Sequence, residues 1–358
     1  MKQKRLGGLC AAAIFLLCAL MTGFYLIAGY GAYLDSDMAS ELALASHLAK
    51  EGALISSTWA YSTEVRVLST QLVFTPLMAL FPHNWRLVRT LGCLILQAAL
   101  AASAYFCGRS LGARKRFALL FSGLSISVCS VVYAQMITIG AYYVPHAVLT
   151  NLYVGLTARL MTERKHGRRR GILALLIALS MLMGASSIRY LFCATIPAAA
   201  AGVWAYLFPA GDESAPGEER DQIGFLLTLI GFVFSFDGFL IGQKILPKIC
   251  DYDAARYGGV RLSAFTSADM PEMMQQALGG LARLMGYSEG SVLLSVHGLA
   301  SVGALLLPAA AAILMGRALK AARRDGNNVL RVGGLTLAMS AAITALSFVL
   351  LEDLDLNR

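Results

Sequence analysis

Tyr33-Leu34-Asp35-Ser36-Asp37-Met38-Ala39-Ser40-Glu41 follows the first long apolar run of the chain and opens a polar loop. Two carboxylates one residue apart, with a third four positions after Asp37, make a compact acidic cluster beside an apolar slab. A cluster of this kind serves as a base, as a cation site or as a helix cap. The rest of the sequence reads as a membrane scaffold that holds this loop.

Composition sets the class. The 358 residues are 57% hydrophobic and 14% charged, with a mean hydropathy of +0.64. Soluble domains carry roughly 45–50% apolar and about 25% charged residues, so an integral membrane protein is expected. The net charge of +9 does not imply nucleic acid, because the basic residues stand in short clusters between apolar runs and there set orientation. Six of the seven cysteines fall inside apolar segments, with no disulfide framework and no zinc spacing. There is no phosphate-binding P-loop, dinucleotide fingerprint, His-Glu-x-x-His site or nucleophile elbow.

A membrane span takes about 20 apolar residues. The runs 8–29, 85–106, 117–134, 143–161, 171–184, 190–208, 223–242, 291–315 and 332–351 supply nine candidates. The expected fold is therefore all-α, a polytopic transmembrane helical bundle forming a single membrane domain over 1–358. The fifth run is short, and it and the sixth either stand apart or form one kinked hairpin around Ser186, Ser187 and Arg189. Met1-Lys2-Gln3-Lys4-Arg5 gives the first run the basic flank of a signal peptide, but its length and lack of a small-residue cleavage site make it an anchor.

If the nine runs alternate, four basic clusters share one side: Lys2 to Arg5, Arg109 to Arg116, Arg164 to Arg170 and Arg317 to Arg331. That side is the cytoplasm. The N-terminus is then cytoplasmic, the chain is multi-pass in the plasma membrane, and the loops 30–84 and 243–290 face outside. The loop 209–222, acidic and rich in Pro and Gly, is a connector on the inner side.

In the first outer loop, Met38, Leu42, Ala45 and Ala49 recur at helical spacing, with His47 and Lys50 on another face. This predicts an amphipathic helix lying on the bilayer and ended by Gly52, with Ser36 or Asp37 as its cap. The segment 71–81, with Pro76, is too short to cross and predicts an interfacial or re-entrant helix leading to Trp85 and Arg86. Between them, Trp59-Ala60-Tyr61-Ser62-Thr63-Glu64-Val65-Arg66 is either an aromatic anchor at headgroup level or a substrate-facing turn. The second outer loop carries Asp251-Tyr252-Asp253 and, over 269–287, another surface helix that either covers a cleft or shields the bundle.

This layout resembles the C-type membrane glycosyltransferases, and most of all glycosyltransferase family 39, which includes protein O-mannosyltransferases and the aminoarabinose transferases of lipid A. The resemblance rests on Asp35-Ser36-Asp37 with 39–49, on Thr75-Pro76-Leu77, and on Trp85-Arg86-Leu87-Val88-Arg89. It continues through Gly112-Ala113-Arg114-Lys115-Arg116 and 119–133, and covers roughly 9–208. The family often shows an Asp-Glu pair where this chain has Asp-Ser-Asp, which leaves open which acid is catalytic. Family members also continue beyond a tail such as 352–358, so the chain is either a short relative or a piece of a longer protein.

The resemblance implies transfer of a sugar from a polyprenyl-phosphate donor to an extracytoplasmic acceptor. Location agrees, since nucleotide sugars are cytoplasmic and an outer acidic motif cannot easily use them. Asp35 or Asp37 would deprotonate the acceptor hydroxyl, the other acid and Glu41 orienting it or holding a divalent cation, Mg²⁺ or Mn²⁺. Donor and acceptor contacts are expected from Glu41, Tyr61, Glu64, Arg66, Arg86, Arg89, His146 and Arg189, with Gln135 and the second-loop cations Lys244, Lys248, Arg256 and Arg261 nearby. Arg86 and Arg89 read first as headgroup anchors and second as contacts, and Arg189 equally as a snorkelling cation. The alternative function is a non-catalytic or transport protein for lipid-linked or small solutes, whose essential charge would be an intramembrane one such as Asp237.

Overall fold

Helix α1, Lys2–Ala28, is unbroken because nothing after Leu6 interrupts its apolar run. Leu9, Leu16, Leu17, Leu20, Phe24 and Ile27 stand exposed on it. The computed structural model describes residues 2–29, 34–61, 65, 67–209, 218–250, 270–287 and 294–350. Among these the chain is all-α, with no β-strand.

The loop after α1 carries two helices, α2 (Ser36–Glu51) and α3 (Gln71–Leu80). They pack on each other and against α4 (Trp85–Ser110), whose first turn is capped by the Asn84 side chain accepting the Leu87 N–H at 3.0 Å. The apolar stripe of α2 does not rest on the bilayer. Met38, Leu42 and Ala45 are buried in one cluster with Phe74, Met78 and Val88, and Ala49 packs against it, because α3 offers a second apolar face within reach. Helix α3 has the short span expected of it, with Pro76 tolerated inside.

The third apolar run does not form one helix. Helix α5 (Lys115–Ser125) stops, and the chain restarts as a single turn, α6 (Val131–Tyr133), that runs into a π-helical stretch, Ala134–Ile139. Hydroxyls explain the break. Ser122 Oγ donates to the Ala101 carbonyl at 2.6 Å, Ser125 Oγ to Ser122 at 2.8 Å, Thr22 Oγ1 to Ile126 at 2.6 Å and Tyr133 to Ser125 at 2.5 Å. Backbone groups freed at membrane depth must find such partners.

Helix α7 (Val144–Thr162) carries Pro145 in its first turn. Helix α8 (His166–Ser186) is longer than its apolar run because Arg168, Arg169 and Arg170 join its first turns. It ends at Ser186, and a π-helical stretch, Leu191–Thr195, leads into α9 (Ile196–Leu207), so the fifth and sixth runs are separate helices. The tightest pairing is α8 with α10 (Glu218–Ile249). A β-carbon on Gly184 would lie 1.8 Å from the Ser235 carbonyl oxygen, and one on Gly238 would lie 2.1 Å from that of Met181. Small residues let the two backbones touch.

Helix α11 (Met270–Leu284) forms within the segment after α10, with Met274, Leu278 and Leu281 exposed. Helices α12 (Val296–Arg324) and α13 (Asn328–Leu350) follow. Among the described residues, four helices are long and apolar enough to cross a membrane: Leu6–Ala28, Trp85–Ser110, His166–Ser186 and Gln222–Ile249.

Candidate functional site

The acidic motif takes shape at the start of α2. Asp35 adopts an extended conformation (φ −125°, ψ 176°), and its carboxylate accepts the Met38 N–H at 2.8 Å. Asp35 is therefore the cap expected of Ser36 or Asp37, one position earlier. The Tyr142 hydroxyl donates to the same Asp35 oxygen at 2.7 Å. Burial alone would raise the Asp35 pKa. The Met38 N–H, the Tyr142 hydroxyl, the Gln135 side chain and the charge of Arg89 outweigh it and hold the carboxyl below the usual carboxylate range. Tyr142 is pushed the other way, first by burial and then by its bond to Asp35.

Asp37 stands exposed in the first turn, where its charge complements the positive end of the helix. One turn on, Glu41 is nearly enclosed. The Thr70 hydroxyl donates to one of its oxygens, Arg89 Nη1 to the other at 2.5 Å, and Gln71 Nε2 to its backbone carbonyl at 3.0 Å.

Arg89 is fully buried, which removes it from the headgroup-anchor role. Nε and Nη2 donate to the Ile139 carbonyl at 3.1 and 2.9 Å, and Nη2 also to that of Gly140 at 2.5 Å. The Phe74 ring lies 4.9 Å from its guanidinium carbon, in space that Gly92 leaves open. Arg89 thus clamps α2, α4 and the end of the π-helical stretch together, with charge and donors matched as burial demands. It acts on the site through Glu41 and the 139–140 carbonyls. Just beyond, Ala141 has φ +57°, a left-handed conformation rare for alanine. That turn carries Tyr142 back to Asp35.

Beside these carboxylates, Leu68, Ser69, Thr70, Tyr142, Pro145 and His146 line a small cleft. Two of its wall hydroxyls, Tyr142 and Thr70, are the ones that hold Asp35 and Glu41. The His146 ring stacks on Tyr190 with centroids 4.6 Å apart and planes at 16°. Tyr190 and Arg189 belong to the break after α8, where Ser187 Oγ receives the Arg189 N–H at 3.1 Å and Ser186 Oγ the Leu68 N–H at 2.8 Å. That break is therefore tied to the cleft wall.

The structure gathers Asp35, Glu41, Arg89, Gln135 and His146 around one place. Arg86 lies apart and exposed, donating to the Ile27 carbonyl at 3.3 Å, which joins α4 to the end of α1. Tyr61 sits with the opposite end of α2, where its oxygen accepts the Ser56 N–H at 3.0 Å. Lys244 and Lys248 are exposed on α10. Glu64, Arg66, Asp251, Asp253, Arg256 and Arg261 lie outside the described residues. Tyr142, Thr70 and Gln71 were not anticipated. The signal for Tyr142 was the Gly140-Ala141-Tyr142-Tyr143-Val144-Pro145 interruption at a membrane edge, a place where aromatic and polar side chains can turn inward. Among the described residues no group of three or more His, Cys, Asp or Glu side chains converges, at Asp35 and Asp37 included.

The chain matches no protein-family model, no curated protein and no solved structure. What the site can do follows from its chemistry. An ionised carboxylate beside a polar cleft can take a proton from a hydroxyl, and the hydroxyls and imidazole around it can hold a polar headgroup.

Proposed function

We propose that this chain is a polytopic membrane glycosyltransferase of about nine spans, with its N-terminus in the cytoplasm and the α2–α3 region outside. It moves a sugar from a polyprenyl-phosphate donor to an extracytoplasmic acceptor hydroxyl. The observation that carries this reading is the Asp35–Tyr142 pair on the edge of the cleft. The acceptor oxygen attacks the anomeric carbon, and the bond from that carbon to the phosphate oxygen breaks with its electron pair. The hydroxyl proton passes to Asp35. A carboxylate held below its usual range is a weak base, so proton transfer runs late, once the sugar carbon has gained cationic character. His146, on the cleft wall, would receive the leaving phosphate, with Arg189 on the neighbouring segment as the candidate cation beside it.

The test is transfer of radiolabelled sugar from polyprenyl-phosphate donors to cell-envelope acceptors in membranes at matched expression. Asparagine caps a helix about as well as aspartate, so Asp35→Asn keeps the fold while removing the base. Transfer should fall by roughly 10²–10⁴-fold, while Asp37→Asn stays within a few-fold of wild type. Unaltered transfer in Asp35→Asn would sink the assignment.

A further inference from the structure

Helix α10 carries one carboxylate in the middle of its apolar run, within Phe234-Ser235-Phe236-Asp237-Gly238. In the candidate span Gln222–Ile249, Asp237 stands fifteen residues from the start and twelve from the end, roughly 22 and 18 Å along the axis. Gly238 is pressed against the Met181 carbonyl of α8. That contact fixes the rotation of α10 and turns the neighbouring Asp237 away from α8.

The inner sides of α10 are taken by α7, α8, α9 and α13. What faces outward is a stripe of Leu229, Val233, Phe236, Leu240 and Ile241, each 37–44% exposed, with Asp237 exposed among them. The described residues give Asp237 neither a hydrogen bond nor an ion pair. Lys244, the next exposed cation on the stripe, stands two turns on, roughly 10 Å along the axis. Ionised or protonated, the carboxyl has lone pairs that hydrocarbon cannot satisfy. Ionisable side chains inside a membrane face the bundle interior or a wet cavity and pair there, whereas this one faces out of the bundle.

We propose that the outward stripe of α10 docks a membrane-spanning helix of another protein, one that carries a lysine or arginine at mid-membrane. Charge complementarity selects this occupant. A cation at that depth cancels the carboxylate and donates a charge-assisted hydrogen bond to it, so two groups that are each costly in hydrocarbon become one neutral pair. The apolar side chains around Asp237 then close over the pair and keep lipid and water from it. A second copy of this chain does not meet the need. A two-fold contact on the stripe sets the same patch against itself and so brings carboxylate to carboxylate, and among the described residues the lysines and arginines lie towards the ends of helices or between them. The inference requires only that α10 spans the membrane, and it goes beyond the transferase reading without resting on Asp35.

The full chain, fused to a fluorescent donor, is reconstituted in phosphatidylcholine vesicles with a synthetic polyleucine helix that bears an acceptor dye and one central lysine, and energy transfer is followed against peptide mole fraction. Half-saturation should come at a roughly tenfold lower mole fraction than with an all-leucine helix. The preference should vanish in Asp237→Leu, a change that suits a lipid-facing position, and in Asp237→Lys it should pass to a helix with a central glutamate. It should stay absent when the carboxylate is moved to the exposed face of α12 in Asp237→Leu combined with Leu306→Asp, since Leu306 is also exposed. No preference in wild type, a preference that survives Asp237→Leu, or an equal one with the carboxylate on α12 overturns the proposal. Energy transfer between two differently labelled copies that Asp237→Leu abolishes overturns it too, by making a second copy the occupant. Failure here leaves the transferase reading standing, since that reading rests on Asp35.

Discussion

The chemistry at Asp35 depends on one hydroxyl. The folded protein holds this carboxyl below the usual range, so it binds protons less readily than in the unfolded chain, where the pKa is about 3.9. Stability from this group is thus fully present above that unfolded value and is lost as pH falls through the lower folded one. Tyr142→Phe removes a donor to the charged form while keeping the ring. The folded pKa should then move up towards the ordinary value, and the acid limb of thermal stability, measured by melts across pH in detergent, should shift to higher pH. An unmoved acid limb would mean that the Met38 N–H and Gln135 hold the charge alone. The same residue shows what was legible beforehand. Asp35 and Asp37 are alike in sequence, and what separates them is a tyrosine 107 positions away, which no local pattern reveals. Arg89 is the same case in reverse: an arginine near a helix start reads as an interface residue, and only the closure of 139–140 around it makes it buried.

Helical periodicity marked α2, α3 and α4 in the sequence, since an apolar stripe or a run of sufficient length is a property of the segment itself. It could not say what covers a stripe, and so the α2 face was assigned to lipid when α3 takes it. Nor could hydropathy see the stop after Ser125, because serines that bond backward to carbonyls leave the apolar average high. The α8–α10 contact belongs to this scale too. Gly238 meets the Met181 carbonyl so closely that a methyl group cannot fit without parting the helices. Gly238→Ala should destabilise the folded protein by about 1–3 kcal/mol, as overpacking does, read as a lowered melting temperature. Alanine at Gly279, around which the structure leaves open space, should be tolerated. Equal effects at the two positions would show that the α8–α10 approach is looser than described.

At the scale of the whole molecule, orientation decides whether the Asp35 cleft can serve the proposed function. Helices α8 and α10 run parallel, since Gly238 meets Met181 and Gly242 meets Ala185. Asp237 is then level with Ser180, ten residues and so roughly 15 Å along α8 from Arg170. It is exposed there, in a stripe with Val233, Phe236, Leu240 and Ile241. A carboxylate at that depth is costly, about 2.5–3.5 kcal/mol on insertion scales, and its surroundings separate the two functions considered for this chain. Single cysteines at Asp37, Gly167 and Asp237 probe this with a membrane-impermeant maleimide on intact cells, read over the background of the native thiols. Asp37→Cys should label at once, Gly167→Cys only after permeabilisation, and Asp237→Cys poorly in both conditions, because a thiol facing lipid does not ionise. Labelling of Gly167→Cys in intact cells would invert the topology and remove the lipid-linked donor from the side of Asp35. Ready labelling of Asp237→Cys from outside would place water at mid-membrane beside a carboxylate, which is the arrangement a carrier needs and a transferase built on Asp35 does not.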